Sequence, residues 1–448
     1  MIKRIPLLLI LFFSAVHAQE WEYTGSVNLH GLISTDSLTP FWFHSNKRGR
    51  IDEKTNFSGY INAAARYTFN SETFVEVGGG GLFQSGFTDK LQPDEYYLTF
   101  HNDWFEGVLG RKQRAQRYKG LSATTENMLW SLNARPMPGV RFNTTRPVMF
   151  WRGGWLGFEA GLEEYLMDDE RHITNTRVHH KNFKLVFSRN NWEVGVGIQH
   201  FVQWAGTSSK FGKLPGSLND YLRIFSGMGI GGTANDQVSE EEINGLGNHL
   251  GSYEASVKTS FRNYSIEFVW NHIFEDGSGS RFVNFPDGRY GIFISDLQDE
   301  KWIYGIMYEF YYTKNQSKNS LSTDGTDNYF NNNLYRSGWT YGNRVLGVPF
   351  IKLKESRIGI GNNIFVAHHL GISGMAFETM PYKIMTSYSM NYGGKGSQFL
   401  ESENILSTYL DVKVLRAYMD LNVQIGGDFS TASSPNLGIG LHFSRSLF

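Results

Sequence analysis

No cysteine occurs in the 448 residues. A disulfide framework, a lipid-anchored cysteine and a thiolate zinc site are therefore excluded, so stability must come from packing or from strands closing on one another. Beyond residue 18 there is no run of ~18 apolar residues, and the mean hydropathy is -0.35, which excludes a helical membrane protein. Histidine pairs with a chelating spacing such as HxxxH are also missing. His179 and His180 are adjacent, as are His368 and His369, and neighbours on a strand face opposite ways. There is no GxSxG nucleophile elbow. The sequence thus assigns no catalytic residue, cofactor or metal ligand. A lipid or glycan hydrolase that assembles Ser, His and Asn across neighbouring strands stays open as an alternative.

Residues 1–18 begin with Lys3 and Arg4, continue through the apolar run Ile5 to Phe13 and end in Val16, His17 and Ala18. A basic start, an apolar stretch too short to span a bilayer and small residues near the break predict a secretory signal peptide cleaved after Ala18. The mature chain, 19–448, then holds 40 basic against 43 acidic residues, a formal charge of -3. Aromatics at 15% and 49 glycines suit strands with aromatic girdles and tight turns.

From Thr24 onward, short alternating segments recur. Tyr264, Ile266, Phe268 and Trp270 share one face against Ser265, Glu267 and Asn271. Trp192, Val194, Val196 and Ile198 alternate with Glu193, Gly195, Gly197 and Gln199, and Met419, Leu421, Val423 and Ile425 alternate with Asp420, Asn422, Gln424 and Gly426. The segment Trp302 to Tyr312 behaves likewise. Several segments run for roughly ten residues, the length of a tilted transmembrane strand, whereas strands of soluble folds average about five or six. Similar stretches lie near 24–32, 57–69, 73–83, 94–110, 155–165, 180–188, 248–261, 357–367, 382–392 and 404–416. At about 24 residues per strand with its share of connections, the chain predicts roughly 18 strands. The expected fold is all-β, a transmembrane antiparallel barrel, because only closure satisfies every backbone group in lipid. Near the C-terminus Leu437, Ile439, Leu441 and Phe443 keep the alternation, but Phe448 falls on the polar parity. A bulge or a strand end near Arg445 is then required.

Insertions interrupt the pattern. In the long loop around 206–247, Ser217 as N-cap, Asp220 three residues on and Gly227 as stop predict a short helix. Its Leu218, Tyr221, Leu222 and Phe225 share one face, which predicts docking on the rim or inside the lumen. Asn315 to Trp339, rich in Asn, Ser, Asp and Gly, reads as a surface loop.

The most unusual stretch is the insert Arg111 to Arg152, with nine basic residues against one acid, Glu126. Such a cluster needs an anionic partner or internal compensation. A polysaccharide-binding surface needs flat apolar faces for sugar CH groups, amides for hydroxyl pairs and guanidinium forks for acidic substituents. Trp130, Asn133, Arg135, Arg141, Arg146, Trp151, Arg152 and Trp155 offer all three and are the candidate binding residues. Two other readings remain open. The arginines can pair with carboxylates such as Glu159, Glu163 and Glu164 to close a plug, or meet anionic lipid headgroups at the rim.

The run SLNARPMPGV, Ser131 to Val140, with GRKQ at Gly110 to Gln113, GNHLGSYEASV at Gly247 to Val257 and FEDGSGS at Phe274 to Ser280, resembles the Wzi capsule assembly family of outer-membrane proteins. The resemblance implies an 18-stranded barrel with an occluded lumen, a helical periplasmic element and a lectin-like, non-enzymatic role in holding exported capsular polysaccharide at the cell surface. The partners it implies, with the basic insert, are an acidic surface polysaccharide, outer-membrane lipids and the polysaccharide export machinery, and no nucleic acid. The alternative from the insert alone is a porin-like channel with an arginine-lined, anion-selective constriction.

Overall fold

The computed structural model describes residues 21–86, 89–227, 246–275, 279–299, 301–317 and 327–448; the predicted signal peptide lies outside them. The alternating segments become one wall of 18 antiparallel strands. They are β1 (Trp21–Ser34), β2 (Phe57–Asn70), β3 (Thr73–Gln84), β4 (Leu91–His101), β5 (Phe105–Arg111), β6 (Gly139–Thr144), β7 (Leu156–Leu166), β8 (Arg177–Arg189) and β9 (Trp192–Trp204). The second half holds β10 (Asn248–Phe261), β11 (Tyr264–Phe274), β12 (Gly288–Asp296), β13 (Gly305–Tyr312), β14 (Phe365–Ala376), β15 (Met380–Gly394), β16 (Ser397–Arg416), β17 (Asp420–Ser430) and β18 (Asn436–Ser446). Strands β1 and β18 pair from Ser26↔Ser446 to Ser34↔Gly438 and close the barrel. A two-residue piece, Val148–Met149, continues the β6 side of β7.

Side chains follow the expected parity. Val196, Ile198, Phe268, Ile439 and Leu441 are exposed on the outer face, while His180, Glu309 and Gln424, on the opposite parity of their strands, are buried inside. Strand β18 stops at Ser446, and the Phe448 ring turns back over Gly25 on the outer face. The strand end thus resolves the parity of the final residue.

Three strand expectations change. The stretch 94–110 is two strands, β4 and β5, because Asn102 Oδ1 accepts from the backbone N–H groups of Trp104 and Phe105 and turns the chain. The stretch 357–367 is a short inner strand, Ile360–Asn362, followed by β14 from Phe365. The insert 111–152 is not one insert, since β6 runs through it; its six residues expose the polar Arg141 and Asn143 inward and were hidden among basic neighbours.

The two ends of the barrel differ. At the end that carries both termini, six connections (71–72, 102–104, 190–191, 262–263, 377–379 and 417–419) are turns of two or three residues. The opposite end carries the long connections 35–56, 112–138, 205–247 and 313–364. Short turns mark the periplasmic side of such barrels and long loops the outer side. Exposed Trp104, Trp151, Trp155, Trp192 and Trp302 cluster at the short-turn end, an aromatic girdle at a membrane interface.

Two α-helices are described, both at the long-connection end: α1 (Phe41–His44) inside and α2 (Leu218–Phe225) outside. The helical periplasmic element that the resemblance implied is thus not found among the described residues. Helix α2 starts as expected, with a capping box between Ser217 and Asp220. It lies on the outer wall, where the Tyr221 hydroxyl donates to Glu164 Oε1 at 2.8 Å. Of the face expected to dock, Tyr221 and Phe225 meet His179 on the outer wall, whereas Leu218 and Leu222 point away from the protein; Ile224, outside that face, is the buried residue.

Candidate functional site

Three connections from the long-loop end fold back into the lumen and fill it. They are 35–56, 112–138 and the described part of 313–364, and their Trp42, Phe43, Met128, Trp130, Tyr329, Phe330, Trp339 and Phe350 form one apolar cluster with the inner wall. Asn315 to Trp339 is therefore not a surface loop in its described part: Tyr329, Phe330, Tyr335 and Trp339 bury it despite its polar composition.

The 112–138 segment is tied to the wall along its length. Glu309 on β13 accepts from Ser122 Oγ at 2.8 Å and from the Ala123 backbone N–H at 2.7 Å. Arg289 on β12 pairs with Glu309 at 3.4 Å and donates to Thr124 Oγ1 at 2.6 Å and the Glu126 carbonyl at 2.8 Å. His369 Nε2 lies 2.6 Å from the Leu121 carbonyl oxygen. Lys119 reaches Asp299 at 2.5 Å, beside the short-turn end. Arg114 pairs with Glu163, as the plug reading of the arginines expected, and lies 4.5 Å from the Trp130 ring centre. Burial disfavours its charge, but the Glu163 carboxylate outweighs that and raises the Arg114 pKa. Below this anchorage a polar cavity of about 300 Å³ lies against β7–β12, lined by Arg117, Lys184, Glu159, Glu254 and Glu267. Tyr118 donates to Glu267 at 3.2 Å, and burial pushes its hydroxyl pKa up to about 12.

The eight sequence candidates do not come together. Trp130 is buried between Phe201, Tyr165 and Trp339. Asn133 is buried near the outer mouth and donates to the Val345 carbonyl at 3.0 Å. Arg135, half-buried, reaches Gln92 and lies 5.6 Å from the Tyr341 ring centre. Arg141 faces the lumen and pairs with Glu106 at 3.1 Å. Arg146 pairs with Asp103 in a short turn, and Arg152 is exposed in the same region. Trp151 packs edge-on against Trp155 at 5.4 Å within the aromatic girdle. Five of the eight thus lie towards the short-turn end, and only Asn133 and Arg135 approach the outer mouth.

At that mouth the structure builds a cleft of about 420 Å³ that the sequence reading missed. Phe41 of α1 and Phe350 stack at 5.5 Å and 14° on one side. Across from them Asp428 and Asn436 are directly opposed on β17 and β18. Asp428 Oδ2 accepts from the Phe41 backbone N–H at 2.8 Å, and Asn436 Nδ2 donates to the Leu38 carbonyl at 2.8 Å. The second oxygen of Asn436, Oδ1, is buried without a protein partner, while the Asp428 carboxylate has the Ser407 hydroxyl of the facing β16 position beside it. Asn133 and Asn343 add amides, Arg344 pairs with Asp52 at 3.4 Å, and Lys352 pairs with Glu403 at 3.2 Å. His44 lies on the floor, its pKa lowered by burial and by Arg344. Lys354 bridges to a neighbouring basin lined by Asn328, Asn331, Asn332, Asn333, Arg336 and Lys395, with no acidic residue among the described residues of its lining. The signal for this pair of depressions was the mixed aromatic and basic run 38–52 and the asparagine run Asn331–Asn333, which only folding brings to one face.

The closed wall, the girdle and the filled lumen define a plugged β-barrel of the bacterial outer membrane. More narrowly, the chain belongs to the family of the capsule assembly protein Wzi, which matches residues 50–350. Among solved structures, it is similar to Escherichia coli Wzi, an outer-membrane protein involved in group 1 capsule assembly and a carbohydrate-binding β-barrel. The TM-score is 0.60 at 14% identity, covering 94% of this chain and 83% of that one. It is less similar to Pseudomonas aeruginosa OccK3, at a TM-score of 0.49 and 10% identity over 95% of this chain and 96% of that one. An anion-selective porin from Comamonas acidovorans gives 0.41 at 8% identity over 96% and 99%. No curated protein sequence matches the chain.

Proposed function

We propose that this barrel binds exported surface polysaccharide at its outer mouth and helps to attach it there, without catalysing a reaction. The observation that carries the reading is the opposed pair Asp428 and Asn436, whose carboxylate and unpartnered amide oxygen lie beside the stacked Phe41 and Phe350. Buried acceptors demand donors, and sugar hydroxyls supply them while CH faces cover aromatic rings. The basin beyond Lys354, rich in asparagine and with Arg336, Lys354 and Lys395 as its described charges, suits acidic substituents of the same polymer. Of the sequence candidates, Asn133 and Arg135 support this surface, and Trp130 supports it from beneath. The apolar cluster that the three inward connections form with the inner wall speaks against the channel reading. The test is binding of the producing cell's own purified surface polysaccharide to the detergent-solubilised barrel. Asn343→Ala with Asn436→Ala is expected to lose most binding, and Arg146→Gln with Trp151→Ala to keep it. The opposite pattern would move the site to the short-turn end.

A further inference from the structure

Helix α2 rests on a patch of the outer wall that is unusual for a barrel surface. Glu164, His179 and Lys181 all lie on the outward parity of β7 and β8, where lipid-facing rows otherwise hold Phe158, Leu166, Phe183 and Leu185. Each polar group is compensated by a neighbour or by the helix. His179 Nδ1 lies 2.5 Å from Glu164 Oε1, the same oxygen that accepts from Tyr221, and Lys181 donates to the Phe225 carbonyl at the helix C-terminus. The helix is thereby pinned at its middle and its end, with Leu218 at 75% and Leu222 at 56% exposure facing outward and the Phe225 ring lying over Lys181 at 4.6 Å. Apolar side chains so placed suit the acyl region of a membrane leaflet.

Beside the N-terminal half of α2 runs an outward-facing groove of about 540 Å³. Pro138, Val140, Leu166, Trp204, Leu218 and Tyr221 give it a mainly apolar lining, joined by Arg177 and by Glu164, whose carboxylate is held by Tyr221 and His179. Arg177 is the first residue of β8, at the long-connection rim, opposite both Leu166 and Trp204 in register. Its guanidinium lies 5.3 Å from the Trp204 ring centre and makes no ion pair among the described residues. An apolar trough continuous with the lipid-facing wall, and one uncommitted guanidinium at headgroup depth, are the two halves of a lipid site.

We propose that this groove seats an acyl chain of a phosphorylated, acylated disaccharide lipid of the outer leaflet, with Arg177 on its phosphate. The long-connection end faces outward, where phosphate is carried chiefly by such glycolipids. The site is on the opposite side of the wall from the mouth cleft, so it stands whether or not the cleft binds polysaccharide.

The full-length barrel in detergent, titrated with bisphosphorylated lipid A and read by native mass spectrometry, tests the assignment. Wild type is expected to retain the lipid, and Arg177→Gln to lower the retained fraction roughly tenfold. Val140→Trp, which fills the trough, should lower retention comparably, while Arg152→Gln at the other end leaves it unchanged. Dephosphorylated lipid A should be retained by wild type no better than the phosphorylated lipid is by Arg177→Gln. Heat-modifiable migration on gels verifies that each variant is a folded barrel. Wild-type retention by both groove variants would overturn the proposal, and so would phosphatidylglycerol retained as well as lipid A, since the site would then select any phosphate on any tail.

Discussion

Changing Glu309 to Ala should unseat the plug. The side chain is fully buried, accepts from Ser122 and Ala123, and neutralises Arg289, which is itself 1% exposed. Truncation leaves a buried guanidinium unpaired, which typically costs about 3–5 kcal/mol. The two abandoned donors on the plug could add about 1–3 kcal/mol each, but groups in one network do not sum. We take about 4 kcal/mol as the working figure, which corresponds to roughly a thousandfold rise in the undocked population of residues 121–126. Because Arg289 also holds Thr124 and the Glu126 carbonyl, the loss falls on the plug and not on strand pairing. Single-channel recording in planar bilayers is the assay. Wild type should be closed, and Glu309→Ala should show brief openings at a frequency raised by about that factor. Asp299→Ala breaks a largely exposed pair with Lys119, worth about 0–1 kcal/mol, and should open little. If Glu309→Ala were as closed as wild type, the lumen would be held shut by something other than this anchorage.

Trp130→Ala should cost about 3–5 kcal/mol, because the ring is packed between Phe201, Tyr165 and Trp339; thermal unfolding in detergent should show a lowered midpoint. Gly49→Ala meets both a φ of +66° and a Cβ only 2.6 Å from the Arg135 backbone nitrogen. It should destabilise by more than the ~1 kcal/mol of a merely strained φ, and limited proteolysis should then cut the 35–56 segment sooner. Lys47 carries a pKa lowered from 10.5 to about 8 by burial and the nearby Lys383, against the opposing pull of Asp411. Its unfolded pKa is the higher of the two, so the unfolded state binds more protons between those values and stability rises with pH across that window. Lys47→Met should flatten the rise in melting temperature between pH 8 and pH 10; an identical slope in both proteins would remove Lys47 as its source.

The wall was legible because its physics is periodic. One face must suit lipid and the other water or protein, and that requirement writes itself into every second residue from Thr24 to Phe443. Where a strand is short or its outward residues are few, as in β6 with only Val140 and Phe142 as apolar residues facing out, the period is too brief to register. The plug was legible only as composition. A segment packed inside a barrel needs no alternation, so residues 38–52 and 327–351 carry aromatic anchors without a repeat to date them. The basic insert misled for a related reason. Charge density says that compensation exists, but whether it comes from Glu163 across the lumen or from a ligand depends on register between residues 49 positions apart, which spacing does not encode. The outer cleft draws on residues between Asp36 and Asn436, so no local window could contain it.

The sign of one substitution separates the two ways in which an acidic polymer could be held. The mouth cleft is lined by six acids, Asp36, Asp52, Glu53, Glu355, Glu403 and Asp428, against four bases, Arg344, Lys352, Lys354 and Arg357. A polymer attracted only by the surrounding field should therefore bind better when Asp428 becomes Ala, because one repulsive charge is gone. If Asp428 Oδ1 accepts a sugar hydroxyl, the same change removes a charge-assisted hydrogen bond worth about 1.5–3 kcal/mol, and affinity falls roughly tenfold to a hundredfold. That loss should be nearly constant from 0.05 to 1 M salt, since the bond is made in a buried recess. Substituting Arg336, Lys354 and Lys395 by Gln removes exposed contacts of about 0.2–1 kcal/mol each, and that loss should vanish as the Debye length shrinks from about 10 Å at 0.1 M to about 3 Å at 1 M. A titration of the purified polysaccharide at both salts, with both variants, reads the two terms separately. Tighter binding by Asp428→Ala would assign the polymer to the cationic basin alone and leave the aromatic cleft as a structural seam between α1 and the wall.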